Sequence, residues 1–163
     1  MRDVHHCSYR LLSILAECPL QTSPISKLSF LDLFYLFPHY LREIKPATEA
    51  AARKQNLKLP KRKDSFVHIP DIRLVYREIQ QYQKVALNRL AGRGLIKSEP
   101  YKSRSAVLVP DAIPLEVREH IESRTSTNSE LVSYISNDIF DLPMDGPDSL
   151  LRQTGMEMGG RLS

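Results

Sequence analysis

Residues 71–110 constrain the fold more than any other part of the chain. Apolar residues recur there at gaps of three and four, which places them on one face of a helix. They are Ile72, Val75, Ile79, Tyr82, Ala86 and Leu90. A second face of the same helix is polar and carries no acid, and it consists of Arg77, Gln81, Lys84 and Asn88. We expect Gly92 to end the helix, because glycine readily takes the left-handed cap conformation.

Two short apolar segments follow this helix, at residues 95–96 and 105–109, and the polar residues 97–104 join them. This pattern predicts a β-hairpin. A helix, a glycine corner and a basic hairpin together resemble the second half of a winged helix-turn-helix, and the alternative is a plain helix–hairpin packing unit. The predicted fold is therefore mainly α with a small β-hairpin, in which a winged-helix-like unit follows an N-terminal helical hub.

The N-terminal half is expected to supply that hub. Residues 8–18 fit a short amphipathic helix, and Ser23-Pro24 is a favourable helix start. From residue 28 to residue 37 only Ser29 and Asp32 are polar, and a helix that is apolar nearly all round must be covered on most sides. We expect Phe34 and Phe37 to lie in the core or in an interface, and Asp32 to point along a narrow solvent-facing side.

The domain organisation follows from composition. Residues 1–125 are predicted to form one compact α-rich domain, with an exposed basic loop at residues 45–64. Thr127 and Glu130 have capping-box spacing ahead of a helix that extends to Phe140. Residues 126–163 therefore read as a C-terminal helix and a flexible tail, and the tail is a docking peptide if it orders on a partner. Its apolar contacts would be Leu150, Leu151 and Met156.

Charge is distributed unevenly along the chain. Residues 1–110 hold 19 Lys/Arg and 9 Asp/Glu (+10), whereas residues 111–163 hold 4 and 10 (−6). A basic body suggests an acidic partner, either the DNA backbone or an acidic protein surface, and the alternative is simple solubility. The candidate nucleic-acid contacts form two clusters. They are Arg53, Lys54, Lys58, Lys61, Arg62 and Lys63 in the basic loop, and Arg93, Lys97, Lys102 and Arg104 around the hairpin.

Several kinds of chemistry have no motif in the sequence. All six glycines lie at position 92 or later, so no glycine-rich loop between a strand and a helix is available to cradle a phosphate. The His5-His6-Cys7 cluster lacks a second ligand pair at zinc-site spacing. We expect no catalytic residue, metal or cofactor. The chain also lacks a recognisable signal peptide or membrane-spanning run, which predicts a cytoplasmic protein.

Two stretches carry a family resemblance, FLDLFYLFPHYLREIK at residues 30–45 and YREIQQYQKVALNRLAGRGLI at residues 76–96. The matching features are the Leu-Asp-aromatic run that ends in Phe37-Pro38, and Gln83 ahead of Ala86-Leu87. Leu90, Gly94 and Leu95-Ile96 complete the second stretch, and the tail LLRQTGM at residues 150–156 is also similar. The chain resembles the middle component of bacterial three-component systems built around an SMC-like ABC ATPase, the Lamassu-type anti-phage defence operons.

The resemblance implies a small non-catalytic adaptor that holds together a DNA-sensing ATPase and a toxic effector, often a nuclease. Its partners would be those two subunits. The two basic clusters, independently of the resemblance, add non-specific DNA backbone contact as a candidate interaction. Phe34, Phe37, Leu150, Leu151 and Met156 are the candidate partner contacts. The alternative is a free-standing winged-helix DNA-binding transcription regulator.

Overall fold

The computed structural model describes residues 3–59, 71–97 and 104–156. The described part is mainly helical with a small antiparallel sheet, as the sequence predicts. The helices are α1 (Val4–Glu17), α2 (Ile25–Leu36), α3 (Ala51–Asn56), α4 (Ile72–Gly92), α5 (Leu115–Thr127), α6 (Ser129–Ser133) and α7 (Leu150–Gln153). The strands are β1 (Thr22–Pro24) and β2 (Ser105–Val107), and short 3₁₀ segments fall at Pro38–Glu43, Thr48–Ala50 and Pro110–Ala112. A π-helical segment, Tyr134–Ile139, continues α6.

The sheet places β2 in the middle. On one side β2 pairs antiparallel with β1, in the register Thr22 to Val107. On the other side Ile96 forms an antiparallel bridge with Leu108, and the Lys97 N–H donates to the Val107 carbonyl oxygen at 2.9 Å. The two arms of the predicted hairpin therefore pair, although residues 98–103 between them lie outside the described part of the chain.

Strand β1 replaces the predicted helix start at Ser23-Pro24. Ser23 is buried in the strand opposite Ala106, and its hydroxyl donates to the Pro24 carbonyl oxygen at 2.9 Å. The side chain therefore cannot cap α2, which begins at Ile25 with no side-chain cap. The prediction was wrong because an edge strand of three residues has too little periodicity to be recognised in sequence.

Helix α1 begins four residues earlier than predicted, because the Asp3 carboxylate caps it by accepting the His5 N–H at 2.8 Å. Its apolar face packs against α2, α4, α5 and α6. Helix α2 is the hub that the sequence predicts, because every residue from Leu28 to Phe34 is buried. Pro38 follows α2 and opens the 3₁₀ segment Pro38–Glu43.

Helix α4 ends in a Schellman motif. The Leu95 N–H donates to the Leu90 carbonyl oxygen at 2.9 Å, and the Gly94 N–H donates to the Ala91 carbonyl oxygen at 3.0 Å. The left-handed residue is Gly94, with φ +73°, rather than Gly92, which is the last helical residue. The glycine corner is thus present, two residues after its predicted position.

The C-terminal segment differs most from expectation. Thr127 belongs to the last turn of α5, where its hydroxyl donates to the Ser123 carbonyl oxygen at 3.0 Å, so it does not start a capping box. Further on, Leu142 and Leu150 are buried in the same hydrophobic cluster as α1 and α2. Described residues on both sides of the predicted boundary at 125/126 therefore share one core, and Leu142 and Leu150 of the predicted tail belong to it.

Candidate functional site

A cleft of about 940 Å³ lies between the start of α2 and the middle of α4. Its volume is more than twice that of the cavity of about 400 Å³ that Arg53 and Asp138 line. Eleven residues of the described part of the chain line the cleft: Ile25, Ser26, Ser29, Tyr76, Arg77, Gln80, Gln81, Gln83, Lys84, Leu87 and Arg104. Three of these are cations and none is an acid, so the cleft has a positive potential.

Helix periodicity places the cations of α4 at the cleft. Arg77, Gln81 and Lys84 are spaced at i, i+4 and i+7, and this spacing puts their side chains side by side along one face. All three are exposed in the structure. The polar face that the sequence predicts for this helix is therefore present.

Arg104 reaches the same cleft from the start of β2. Its φ is +66°, a left-handed conformation that costs a non-glycine residue energy. The Ile25 N–H donates to the Arg104 carbonyl oxygen at 2.9 Å, so the first residue of α2 holds this backbone in place. This hydrogen bond to the start of α2 thus fixes the position of the Arg104 backbone at the cleft.

The floor of the cleft is a buried polar network. Asp32 is fully buried and accepts from the Arg10 Nε at 2.7 Å and from the Arg10 Nη2 at 3.3 Å. Gln83 donates its Nε2 to the Asp32 Oδ2 at 2.8 Å and to the Ser29 carbonyl oxygen at 3.1 Å. The network joins α1, α2 and α4 and sets the rotation of α4 about its own axis. The prediction that Asp32 faces solvent was therefore wrong.

Within the described residues, the Gln83 Oε1 is buried and has no hydrogen-bond partner. The orientation of this amide follows from its neighbours, because both Ser29 and Asp32 offer acceptors and so require the NH₂ group. The unpartnered oxygen belongs to a residue that also lines the cleft.

The two cysteines are not activated nucleophiles. Burial, and after it the Asp32 charge, raises the pKa of the Cys7 thiol to about 12. Burial likewise raises the pKa of Cys18 to about 12. A reactive cysteine needs a thiolate near neutral pH, and neither environment provides one.

The structure uses part of the basic loop for internal contacts. Arg53 forms a two-point ion pair with Asp138, with Nε–Oδ2 and Nη2–Oδ1 distances of 2.8 and 2.6 Å. Lys54 donates its Nζ to the carbonyl oxygens of Arg42 and Ile44, at 3.1 and 2.8 Å. The charged groups of Arg53 and Lys54 are therefore engaged within the chain, and DNA contact stays a prediction for these two residues.

The other candidate DNA contacts fall into two groups. Lys58, Arg93, Lys97 and Arg104 are exposed. Lys61, Arg62, Lys63 and Lys102 lie outside the described residues. Among the six candidates that the structure describes, Arg104 alone lines the cleft. The sequence had shown Arg77 and Lys84 as part of a polar helix face, and only the fold brings that face next to Arg104.

The candidate partner contacts are also divided. Phe34 and Leu150 are fully buried in the core of this chain, so their side chains have no surface to offer a partner in this fold. Phe37, Leu151 and Met156 are partly buried and pack against that core. A partner contact stays a prediction for these three residues.

Two features are absent from residues 3–59, 71–97 and 104–156. No helix in these ranges is both long and apolar enough to cross a membrane. In the same ranges, no group of three or more His, Cys, Asp or Glu side chains could hold a metal ion.

Comparison with known proteins yields one family. No curated protein and no solved structure matches the chain. The sequence model of Middle Component 5 of ABC-three component (ABC-3C) systems matches residues 1–158, which is nearly the whole chain. The chain therefore belongs to the family of ABC-three component system middle components.

Proposed function

We propose that this chain is a non-catalytic adaptor that bridges an SMC-like DNA-sensing ATPase and a toxic effector, such as a nuclease, in a cytoplasmic anti-phage defence complex. The observation that carries the proposal is the family match over residues 1–158, since a middle component acts within a system of several proteins. The similarity of residues 30–45 and 76–96 to Lamassu-type middle components supports the finer assignment.

An adaptor needs exposed apolar side chains that a partner protein can bury. Leu20 is 94 % exposed, at a tip where Leu20 and Gln21 both have positive φ, of 56° and 51°. The turn is held by the Gln21 N–H, which donates to the Cys18 carbonyl oxygen at 2.9 Å, and by the Leu108 N–H, which donates to the Gln21 carbonyl oxygen at 3.0 Å. A leucine presented on a fixed, strained turn supports a docking role, because strain of this kind tends to be kept where function needs it.

Co-expression with the proposed ATPase and effector tests the bridge directly. We expect the tagged ATPase to retain the effector when this chain is present and to lose it when this chain is omitted. Leu20→Ser should weaken that retention, whereas Val85→Ser, at a second exposed apolar position, serves as the matched control. Retention of the effector without this chain would overturn the adaptor role.

A second candidate is a free-standing winged-helix regulator, and the element order favours it. The chain begins with helix α1, strand β1 and helix α2. After the inserted residues 38–71 come α4 and the two hairpin arms, and β2 is central in the sheet. This is the order of a winged helix, and it supports a winged-helix-like unit in either candidate. A regulator should form a dimer with sequence-specific affinity for DNA. An adaptor should bind its protein partners and show no preference for a DNA sequence.

A further inference from the structure

We infer that the cleft between α2 and α4 binds the backbone of double-stranded DNA, through Arg77, Lys84 and Arg104, without regard to sequence. The inference stands apart from the adaptor proposal, since it rests on the surface of this chain alone. The charge of the cleft, the donors that it offers and the shape of the helix that carries them all support it.

The charge of the cleft points to a polyanion. Arg77, Lys84 and Arg104 are exposed, and no Asp or Glu is among the eleven lining residues that the structure describes. By contrast, the basic loop uses Arg53 and Lys54 internally. Cations that have no acid beside them at the same cleft are available to release counterions from a phosphate backbone.

The other polar groups fit the same ligand. Gln80, Gln81, Ser26 and Ser29 line the cleft with amides and hydroxyls. Arginine, lysine, serine and glutamine side chains are among the groups that hydrogen-bond to DNA phosphates and sugars. An acidic peptide would be held as well by cations alone, so the added amides and hydroxyls favour a nucleic acid.

The aromatic residue that lines the cleft argues against single-stranded nucleic acid as its ligand. Tyr76 stacks on Phe30, with ring centroids 4.7 Å apart and an interplanar angle of 20°. Tyr76 is the only aromatic residue among the described residues of the lining, and one face of its ring is thus covered from inside. Single-strand binding relies on open aromatic faces on which bases stack, and this cleft offers little of that kind.

The shape of α4 favours a DNA duplex over an RNA duplex. The helix has 21 residues and presents its polar face from Arg77 to Lys84 without interruption by an acid on that edge. The major groove of B-DNA, about 12 Å wide, admits an α-helix, whereas that of A-form RNA is too narrow for side chains to read. The buried network of Asp32 and Gln83 keeps this face turned outward.

Fluorescence anisotropy of the full chain with a labelled 24-base-pair DNA duplex tests the inference. The test variant is Arg77→Glu/Lys84→Glu. The matched control is Lys45→Glu/Arg152→Glu, which changes the net charge equally at two exposed cations that do not line the cleft. We expect the test variant to bind at least about tenfold more weakly than the control. Its slope of log affinity against log salt should be flatter by about 1.8, at about 0.9 for each phosphate that the variant no longer neutralises.

Arg104→Asn removes the third cation and tolerates the left-handed backbone, and it should flatten the slope by about 0.9. If the charge-reversal variant melts at a lower temperature, Arg77→Gln/Lys84→Gln replaces it, with the same direction of effect expected. Equal weakening in the control would assign binding to overall charge and overturn the inference. So would stronger binding to single-stranded DNA or duplex RNA, or no duplex binding at 50 mM salt with protein at about 100 µM.

Discussion

Asp32 and Arg10 show how one buried ion pair organises three helices. Both residues are almost completely buried, and Gln83 completes the network from α4. Such a pair adds little net stability compared with apolar residues of the same volume, because both charges lose their hydration. Removing only one partner is costly, however, since the other charge then stays buried without compensation.

We therefore predict that Asp32→Ala lowers the free energy of unfolding by about 3–5 kcal/mol, measured by urea denaturation. The matched control is Arg73→Ala, which removes an exposed ion pair with Asp71 and should lower the free energy of unfolding far less. A decrease below about 1 kcal/mol for Asp32→Ala would show that the buried pair does not organise the three helices.

Asp71 should give α4 a measurable dependence on pH. Hydrogen bonds from the Arg73 side chain, and then from the Arg73 N–H, lower the pKa of Asp71 to about 2. Because this pKa lies below the ordinary value of 3.8, the carboxylate stabilises the fold above about pH 4, and that contribution is lost as the pH falls from about 4 to about 2.

The comparison is with Asp71→Asn, which keeps an acceptor for the helix cap but does not titrate. We expect the melting temperatures of the two proteins to converge as the pH falls from about 5 towards about 2. Carboxyl NMR should report an Asp71 midpoint well below 3.8. Melting curves that stay parallel over this range would contradict the assignment.

At the scale of elements, the C-terminal segment is part of the fold. Leu150 is fully buried, and Gln153 binds the backbone of Lys45, where its Oε1 accepts the Lys45 N–H at 2.6 Å. Lys27 donates its Nζ to the carbonyl oxygens of Phe140 and Leu142, at 2.7 and 2.9 Å, and so closes the end of the π-helical segment. These hydrogen bonds reach back to α2 and to the residues that follow the 3₁₀ segment Pro38–Glu43.

Leu150→Ala should therefore destabilise the isolated protein by about 2–5 kcal/mol, the usual cost of truncating a buried leucine. Leu115→Ala is the control, because Leu115 is 67 % exposed and its truncation should change stability by no more than about 0.5 kcal/mol. Hydrogen exchange adds a second measurement, in which the Thr154 amide, bonded to the Leu150 carbonyl oxygen at 3.0 Å, should be protected. Rapid exchange at Thr154 together with an unchanged stability for Leu150→Ala would support a flexible tail instead.

At the scale of the whole molecule, sequence reasoning succeeded where structure is local. The apolar spacing of α4, the apolar run of α2 and the two hairpin arms are each visible within a short stretch of sequence. It failed where a residue depends on a distant partner. Asp32 is 22 residues from Arg10 and 51 from Gln83, so nothing near it in sequence reveals its burial.

The same reason applies to the cleft and to the tail. Arg104 meets α2 because its carbonyl oxygen accepts from Ile25, an interaction that exists only once β1 and β2 have paired. From the sequence alone, Leu150 is predicted to be a docking residue. Its burial follows from the long-range hydrogen bonds of Lys27 and Gln153, which hold its segment against the core. Local pattern thus predicted the elements, and long-range pairing decided which surfaces they leave open.

Native mass spectrometry of the tagged chain, purified from its native host, tests the central claim most directly. An adaptor predicts a complex much heavier than the 18.7 kDa chain, containing an ABC ATPase and a second protein in fixed ratio. In a strain that lacks this chain, the ATPase and the effector should no longer form a complex with each other. A species at 18.7 kDa, or at a small multiple of it with no other protein, would contradict the account.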